Sequence, residues 1–283
     1  MRRMPMMALI TVVAVSAPTS AHAQVLTRVD LDNDSFNFWQ APRRRADREY
    51  TQGTRINLLW PTASRLAQRL LGGSQQCGTD DDVRDCRMLS AAVTQGIYTP
   101  TLDPRRRTPD ERPYAGWLGA EFGVQRDRAD RLTALAFTIG VTGKASLAEP
   151  GQKAVHKLFG FRPPLGWEGQ LPTEVAVMAS YSGARQLPGL AHARSGTRLM
   201  IAPVWSARLG TVATDASAGL HMTVGLRPPR PWTTGAMRGD ERWGVFMRAG
   251  ATQRAVARNL FLDGTSFTTS ASVEKNTFVG ETE

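Results

Sequence analysis

Long apolar runs and helical periodicity are nearly absent from this sequence. Beyond the first 23 residues, no stretch approaches the roughly 18 apolar residues that a membrane-spanning helix requires. A clear helical spacing of apolar residues occurs at 64–72, SRLAQRLLG. Repeats, low-complexity segments and linkers are also missing, which indicates one domain. These absences exclude an α-helical membrane protein but not a β-barrel, because barrel strands carry only a weak alternating signal.

The N-terminal residues have the pattern of a secretory signal. Arg2 and Arg3 precede the apolar run MMALITVVAV, which ends in small residues and AHA before Gln24. This run is too short to span a bilayer, so a cleaved signal is favoured over a membrane anchor. We expect cleavage after Ala23, which gives a signal peptide of 1–23 and an exported domain of 24–283. Loss of the two arginines lowers the formal net charge from +10 to +8.

The two cysteines, Cys77 and Cys86, flank the polar segment GTDDDVRD. No histidine or second cysteine pair lies near them, so a metal site is not indicated. In an oxidising compartment, two cysteines this close in sequence are typical of a disulfide that closes a short loop. We therefore expect a structural disulfide between them.

The excess of basic residues leaves several partners open. No nucleic-acid-binding motif occurs, and an exported protein is not expected to meet nucleic acid. Arginine is far commoner than lysine, which suits bidentate recognition of phosphate. An arginine-rich barrel interior would account for the same excess, and both interpretations remain open at this point.

Alternation of apolar and polar residues is the dominant pattern. In RLTALAFTIGV, the apolar residues Leu135, Phe137 and Ile139 share one face of a strand. In RWGVFMRAGATQR, Val245 and Met247 oppose a face that carries arginines. Such segments run for ten or more residues, whereas strands of soluble proteins average about five or six. Long strands of this kind favour an outer-membrane barrel, with a secreted soluble β-protein as the alternative.

Ten strands are predicted, at 25–34, 50–60, 88–98, 114–125, 131–143, 172–183, 197–209, 213–226, 242–255 and 266–278. If both chain ends lie in the periplasm, strand parity assigns each connection to one side of the membrane. The connections 35–49, 99–113 and 144–171 then lie outside the cell. The connection that contains the cysteines and the one that contains His192 lie in the periplasm.

Three histidines follow residue 23. His192 lies in a turn-like stretch and His221 in the strand AGLHMTVGL, and we interpret both as structural or solvated. His156 differs because it lies in GQKAVHKLFG, within the long third outward connection. Gln152 precedes it by four residues and shares its face if the segment is helical. His156 is therefore the candidate for chemistry.

A second group of candidates lies where the first strand ends. Asn33 and Asp34 belong to the stretch DLDNDSF, and Thr51 begins the second strand. An antiparallel pair brings these strand ends side by side at the outer rim. Strict alternation places Asp34 and Thr51 on the inward face and Asn33 on the lipid face. We expect a bulge to break the register at Asn33 and direct both side chains to one centre, although ordinary turn residues fit the same spacing.

Seven segments resemble, in this order, the outer-membrane lipid A 3'-O-deacylases of Gram-negative bacteria: LDNDSF, DREYTQGTRI, GIYTP, DERPYAGWL, GQKAVHKLFG, GWEGQLPTE and ARNLFLDG. The likeness runs from about Leu31 to Val279. It implies an all-β fold, a transmembrane antiparallel β-barrel of the outer membrane with twelve strands, of which about ten are recognisable here. Family barrels continue through another hairpin after the point that FVGETE reaches. We therefore expect a short C-terminal end, and a truncated inactive barrel with a structural or channel role is one alternative.

The resemblance also implies a function and a set of site residues. Members are calcium-dependent hydrolases that remove the 3'-linked acyl-oxyacyl group from lipid A of lipopolysaccharide, at the outer-leaflet rim of the cell outer membrane. The family's Asn-Asp pair falls on Asn33 and Asp34, which would hold the Ca2+. Its active-site hydroxyl falls on Thr51 and its catalytic histidine on His156. A basic residue for the oxyanion matches Arg105 best by spacing.

These residue types suit ester hydrolysis. An imidazole can activate water near neutral pH, and hard oxygen donors suit calcium. A cation together with Arg105 would stabilise the tetrahedral intermediate. We expect direct attack by water that His156 activates, with Thr51 as an acyl nucleophile as the alternative. Basic residues at 105–107 and Arg112 would bind the phosphates of lipid A.

Two further expectations follow. The partners are lipid A and the lipid of the outer membrane, and the protein is expected to be a monomer. Another outer-membrane esterase, such as a phospholipase, is the second alternative function.

Overall fold

One antiparallel sheet dominates the protein. The structure is a computed structural model, and it describes residues 9–14, 25–33, 52–75, 77, 85–100, 111–188, 192–194, 197–226, 228, 230, 232 and 245–282. The strands are β1 (Leu9–Ala14), β2 (Leu26–Asn33), β3 (Gln52–Pro61), β4 (Asp85–Tyr98), β5 (Ala115–Arg128), β6 (Arg131–Thr142), β7 (Val175–Arg185), β8 (His192–Arg194), β9 (Thr197–Gly210), β10 (Ala213–Leu226), β11 (Val245–Asn259) and β12 (Phe278–Thr282). Neighbours in the chain pair with each other, except that β7 pairs with β9 and the short β8 lies off this path against β9. The sheet curls into half a barrel. This architecture confirms the predicted all-β barrel fold.

Among the described residues, three α-helices lie in the connections: α1 (Arg65–Leu71), α2 (Ala148–Phe159) and α3 (Leu260–Asp263). The first confirms the helix predicted at 64–72. None of the helices in the described ranges is long and apolar enough to cross a lipid bilayer. Cys77 and Cys86 form the predicted disulfide, with their Cα atoms 4.6 Å apart.

The strands alternate as the sequence predicts. Phe137 and Ile139 of β6 are 49% and 42% exposed, whereas Thr138 between them is 7% exposed. In β2, Leu31 is 39% exposed and its neighbour Asp30 is 8% exposed. The apolar face therefore points away from the barrel and the polar face points into its lumen, as in a barrel that lipid surrounds.

Charged side chains on the inward face neutralise one another across strands. Arg55 of β3 donates to the carboxylate of Glu121 of β5 at 2.6 Å. The carboxylate of Asp215 on β10 is 1% exposed and accepts hydrogen bonds from Arg208 and Arg254. Because a buried charge is tolerated only when it is paired, these contacts allow arginine to line the lumen. An arginine-rich interior therefore accounts for part of the basic excess.

The N-terminal segment also pairs with the sheet. Leu9–Ala14 form β1, which lies antiparallel to β2 with Val12 opposite Val29. Its β-branched residues favour a strand. Cleavage after Ala23 stays a prediction, and removal of 1–23 would leave β2 as the edge strand.

The last strand lies later in the chain than predicted. The alternation predicts a strand at 266–278, but β12 spans Phe278–Thr282 and residues 266–277 are irregular. The reason is a contact that is distant in sequence, because the Glu174 carboxylate accepts from the backbone N–H groups of Ser266 and Phe267, both at 2.8 Å. These N–H groups bond to a side chain instead of a neighbouring strand.

Candidate active site

Helix α2, which carries His156, lies on the outer surface of the barrel wall. The preceding 3-10 turn, Gly143–Ser146, is fixed to β4 because Gln95 Nε2 donates to the Ser146 carbonyl oxygen at 3.1 Å. Gln95 lies on the same strand face as Val93, which is 53% exposed and faces away from the lumen. The helix therefore covers the apolar, outward side of the wall and not the mouth of the lumen.

A glycine in β5 permits this close approach. A Cβ atom at Gly116 would lie 2.0 Å from Ser146 Oγ and 2.4 Å from Ala148 Cβ. Gly116 shares the outward face with Phe122, six residues further along the strand, which is 59% exposed. A glycine at an outward strand position thus marks the place where the helix rests on the wall.

The two ends of α2 adopt left-handed backbone conformations. Gly160 ends the helix with φ of 70°, and Phe161 N donates to the His156 carbonyl oxygen at 2.8 Å. This is the hydrogen-bond pattern of a Schellman motif, in which glycine is favoured. The turn after the helix is therefore fixed against His156. At the other end of the helix, Leu147 has a φ of 57°, a conformation that costs a non-glycine residue about 1–2 kcal/mol.

His156 is held in one tautomer by its own loop. Its side chain is half-buried, and Nδ1 lies 2.5 Å from the carbonyl oxygen of Arg162. A carbonyl oxygen can only accept, so Nδ1 carries the proton of the neutral ring. The lone pair is then on Nε2, which is the atom that could take a proton from water. The ring also meets Phe161 edge-on, with centroids 5.7 Å apart.

Gln152, one turn before His156, anchors the helix from below. It is 2% exposed, and its Oε1 accepts from Trp167 Nε1 at 2.8 Å. Its Nε2 has no partner among the described residues. Trp167 packs against Tyr114 in a buried cluster on the wall, and the Tyr114 hydroxyl donates to the Leu165 carbonyl oxygen at 2.8 Å. These contacts fix the segment that follows α2 to the barrel.

The β2–β3 hairpin places one predicted site residue. Asn33 is the last residue of β2 and lies opposite Gln52 of β3. The ladder is regular up to this pair, and the break that would direct Asn33 and Asp34 to one centre stays a prediction, because Asp34 lies outside the described residues. Gln52 in turn lies opposite Ile97 of β4, a member of the cluster under α2.

The other predicted site residues lie outside the described residues, namely Asp34, Thr51 and Arg105. Within the described part of the chain, no group of three or more metal-ligating side chains comes together. The side chains predicted to hold calcium are not among those described.

Arg112 does not take the position expected of a phosphate-binding rim. It is 8% exposed, and its Cζ lies 5.1 Å from the centroid of the Tyr98 ring. Its guanidinium therefore packs over an aromatic face in the barrel mouth. Sequence reasoning also missed Tyr114 and Trp167, although an outward glycine in a long strand is a signal of close packing that could have located them.

Comparisons with known proteins agree with the sequence motifs. Residues 5–283 match the family model described as outer membrane protein LpxR. The structure is similar to that of LpxR from Salmonella typhimurium, with a TM-score of 0.67 and 20% identity over 92% of this chain and 86% of that chain. At that identity the likeness shows a common fold. No curated protein sequence matches this chain significantly. The chain belongs to the LpxR family of outer membrane proteins, the family that its seven segments resemble.

Proposed function

We propose that this protein is a lipid A 3'-O-deacylase, which hydrolyses the ester that links the 3' acyl-oxyacyl group to lipid A. The observation that carries the proposal is the placement of His156 on α2, outside the barrel wall, with Nδ1 bound to the Arg162 carbonyl oxygen. A base on the lipid-facing side can reach an ester whose acyl chains remain in the membrane. A base in the lumen would not meet that substrate.

In the proposed reaction, Nε2 of His156 takes a proton from a water molecule, whose oxygen attacks the ester carbonyl carbon. The tetrahedral intermediate then expels the 3' sugar oxygen, which takes the proton back from the imidazolium. The products are the free acyl-oxyacyl acid and a 3' hydroxyl group. The hydrogen bond to Arg162 keeps the ring oriented through both proton transfers.

The predicted ligand residues fit calcium in their chemistry, since Asn33 and Asp34 supply an amide oxygen and a carboxylate at the end of β2. A calcium ion bound by them would supply positive charge for the oxyanion. Arg105 is proposed to add a second positive charge at the same oxygen. Thr51 is proposed to orient the ester, with acyl transfer to its hydroxyl as the alternative route.

The site is proposed to face the outer leaflet. Asn33, Gln52, Tyr98, Ala115 and α2 all belong to one end of the barrel, because successive strands run in opposite directions. Lipid A occupies the outer leaflet of the outer membrane, so this end would point outward. The predicted signal sequence and the family both support export to that membrane.

Incubation of the purified protein with lipopolysaccharide and, separately, with phospholipid tests the proposal. Mass spectrometry is expected to show lipid A that has lost one 3' acyl-oxyacyl unit, with the released acid in equal amount. Release of lysophospholipid from the second sample, with unchanged lipid A in the first, would instead identify a phospholipase. Unchanged lipid in both samples would contradict an enzymatic role.

A further inference from the structure

Five large apolar side chains lie exposed around α2. They are Leu147, Leu158, Phe159, Phe161 and Leu165, and they are 56%, 77%, 64%, 57% and 63% exposed. We call this set the apolar edge. Leu147 lies at the start of the helix and the other four at its end and in the following turn. Large exposed apolar side chains that gather at one helix and its following turn are typical of contact with a membrane or a partner.

The apolar edge is a built feature and not a frayed segment. Phe161 and Leu165 are in a turn that three hydrogen bonds hold, from Phe161 N to the His156 oxygen, from His156 Nδ1 to Arg162 and from the Tyr114 hydroxyl to Leu165. The rings of Phe159 and Phe161 stack with centroids 6.0 Å apart. The fold therefore presents these side chains outward in fixed positions.

The surroundings indicate which partner covers them. On the same outward face of β4 and β5, further from the strand ends where α2 rests, Val93 and Phe122 are exposed and are part of the surface that lipid contacts in an outer-membrane barrel. The apolar edge continues that surface toward the rim. Lys153, which pairs with Glu149 at 2.6 Å, and Lys157 lie on the exposed side of the same helix. The Lys157 amine can reach anionic headgroups there while the apolar side chains lie deeper.

We propose that the apolar edge inserts between the acyl chains of the bilayer leaflet that surrounds this end of the barrel. Helix α2 then lies in the plane of the membrane interface, with its lysines at headgroup level. The proposal depends on the barrel lying in the outer membrane, which the family shows, and not on the hydrolysis proposed above. Where that hydrolysis holds, the edge also brings acyl chains beside the base, because Phe161 is 5.7 Å from the His156 ring.

Spin labels can measure this insertion without any activity assay. Both native cysteines are in the disulfide, so a single introduced cysteine can be labelled selectively. Leu158→Cys and Phe161→Cys report on the edge, Phe137→Cys on the lipid-facing wall, and Lys157→Cys is the matched control on the same helix. Each labelled protein is reconstituted in phosphatidylcholine vesicles, and its collision rates with oxygen and with a water-soluble nickel chelate are compared.

The expected result is that labels at 158 and 161 have an oxygen-to-nickel ratio close to that at 137 and at least tenfold above that at 157. Nickel accessibility at 158 and 161 equal to that at 157 would overturn the proposal. Spin–spin broadening between labels would also overturn it, because the edge would then be covered by a second copy. Labels are placed at two positions, 158 and 161, so that one substitution that impairs folding does not decide the outcome. Circular dichroism checks the folding of each labelled protein.

Discussion

Gly116 lies in close contact with the start of α2. We therefore predict that a methyl group added at Gly116 abolishes most of the activity while the protein still folds. In Gly116→Ala, the new Cβ would lie 2.4 Å from Ala148 Cβ. Carbon atoms in contact prefer about 3.5–4.0 Å, so Ala148 would have to retreat by about 1.5 Å. Its methyl group has no alternative rotamer, and the helix backbone must therefore move.

Two magnitudes follow from this displacement. Overpacking of this kind costs about 1–3 kcal/mol of stability, which a barrel held by long ladders should survive. His156 lies two turns further along the same rigid helix, and a misplacement of about 1 Å at a reacting group can lower a rate about 100-fold. We therefore expect Gly116→Ala to fold and to lose about 99% of its activity toward lipopolysaccharide.

The assay compares deacylation rates, measured by mass spectrometry, with the circular dichroism of the same samples. Gly169→Ala is the matched control, because a Cβ there would meet nothing within 4 Å although Gly169 belongs to the same region. Wild-type activity in a folded Gly116→Ala protein would refute the conclusion that the position of α2 on the wall sets the site.

Three further predictions concern stability and metal. Asp215→Asn removes the buried anion that Arg208 and Arg254 share. Because both arginines keep some exposure to water, a loss of about 1–3 kcal/mol in the free energy of unfolding is expected, and a loss below 1 kcal/mol in urea titrations would contradict that role. The double variant Cys77→Ser, Cys86→Ser opens a loop that the disulfide closes at a sequence separation of 9. The loss of chain-entropy restriction predicts a destabilisation of about 2.5 kcal/mol. The urea midpoint of unfolding should fall, and the deacylation rate of the folded protein should not change. Chelation of calcium is expected to abolish deacylation and added calcium to restore it, whereas unchanged activity in excess chelator would exclude the proposed metal.

Much of the barrel could be predicted because its strands are amphipathic on their own. Phe137 and Ile139 against Thr138 determine which face meets lipid without reference to the rest of the chain. The prediction of a strand at 266–278 was wrong because the conformation there depends on a residue that is distant in sequence. The backbone conformation of this segment depends on Glu174, almost one hundred residues earlier, and alternation in a short window carries no trace of that contact.

At the site, too, the sequence predicts only what residues close in sequence determine. The helix around His156 follows from its own residues and from Gly160 at its end. Its placement outside the wall does not, because it depends on Gly116 and Gln95 of two other strands.

Aromatic side chains pack together at the end of the barrel that carries α2. Phe261 of α3 stacks on Tyr98 with centroids 4.1 Å apart and meets Trp117 edge-on. These rings belong to a buried apolar cluster at the end of the barrel that carries α2.

The most direct test of the central claim is the mass of lipid A from cells that express the protein or its histidine variants. Wild type and His221→Asn, which changes a histidine beside a cavity on the lumen side, are expected to yield lipid A that lacks one 3' acyl-oxyacyl unit. His156→Asn is expected to leave lipid A at full mass, because loss of a general base lowers a rate by about 10²–10⁴-fold. Deacylated lipid A in the His156→Asn cells at the wild-type level would contradict the account.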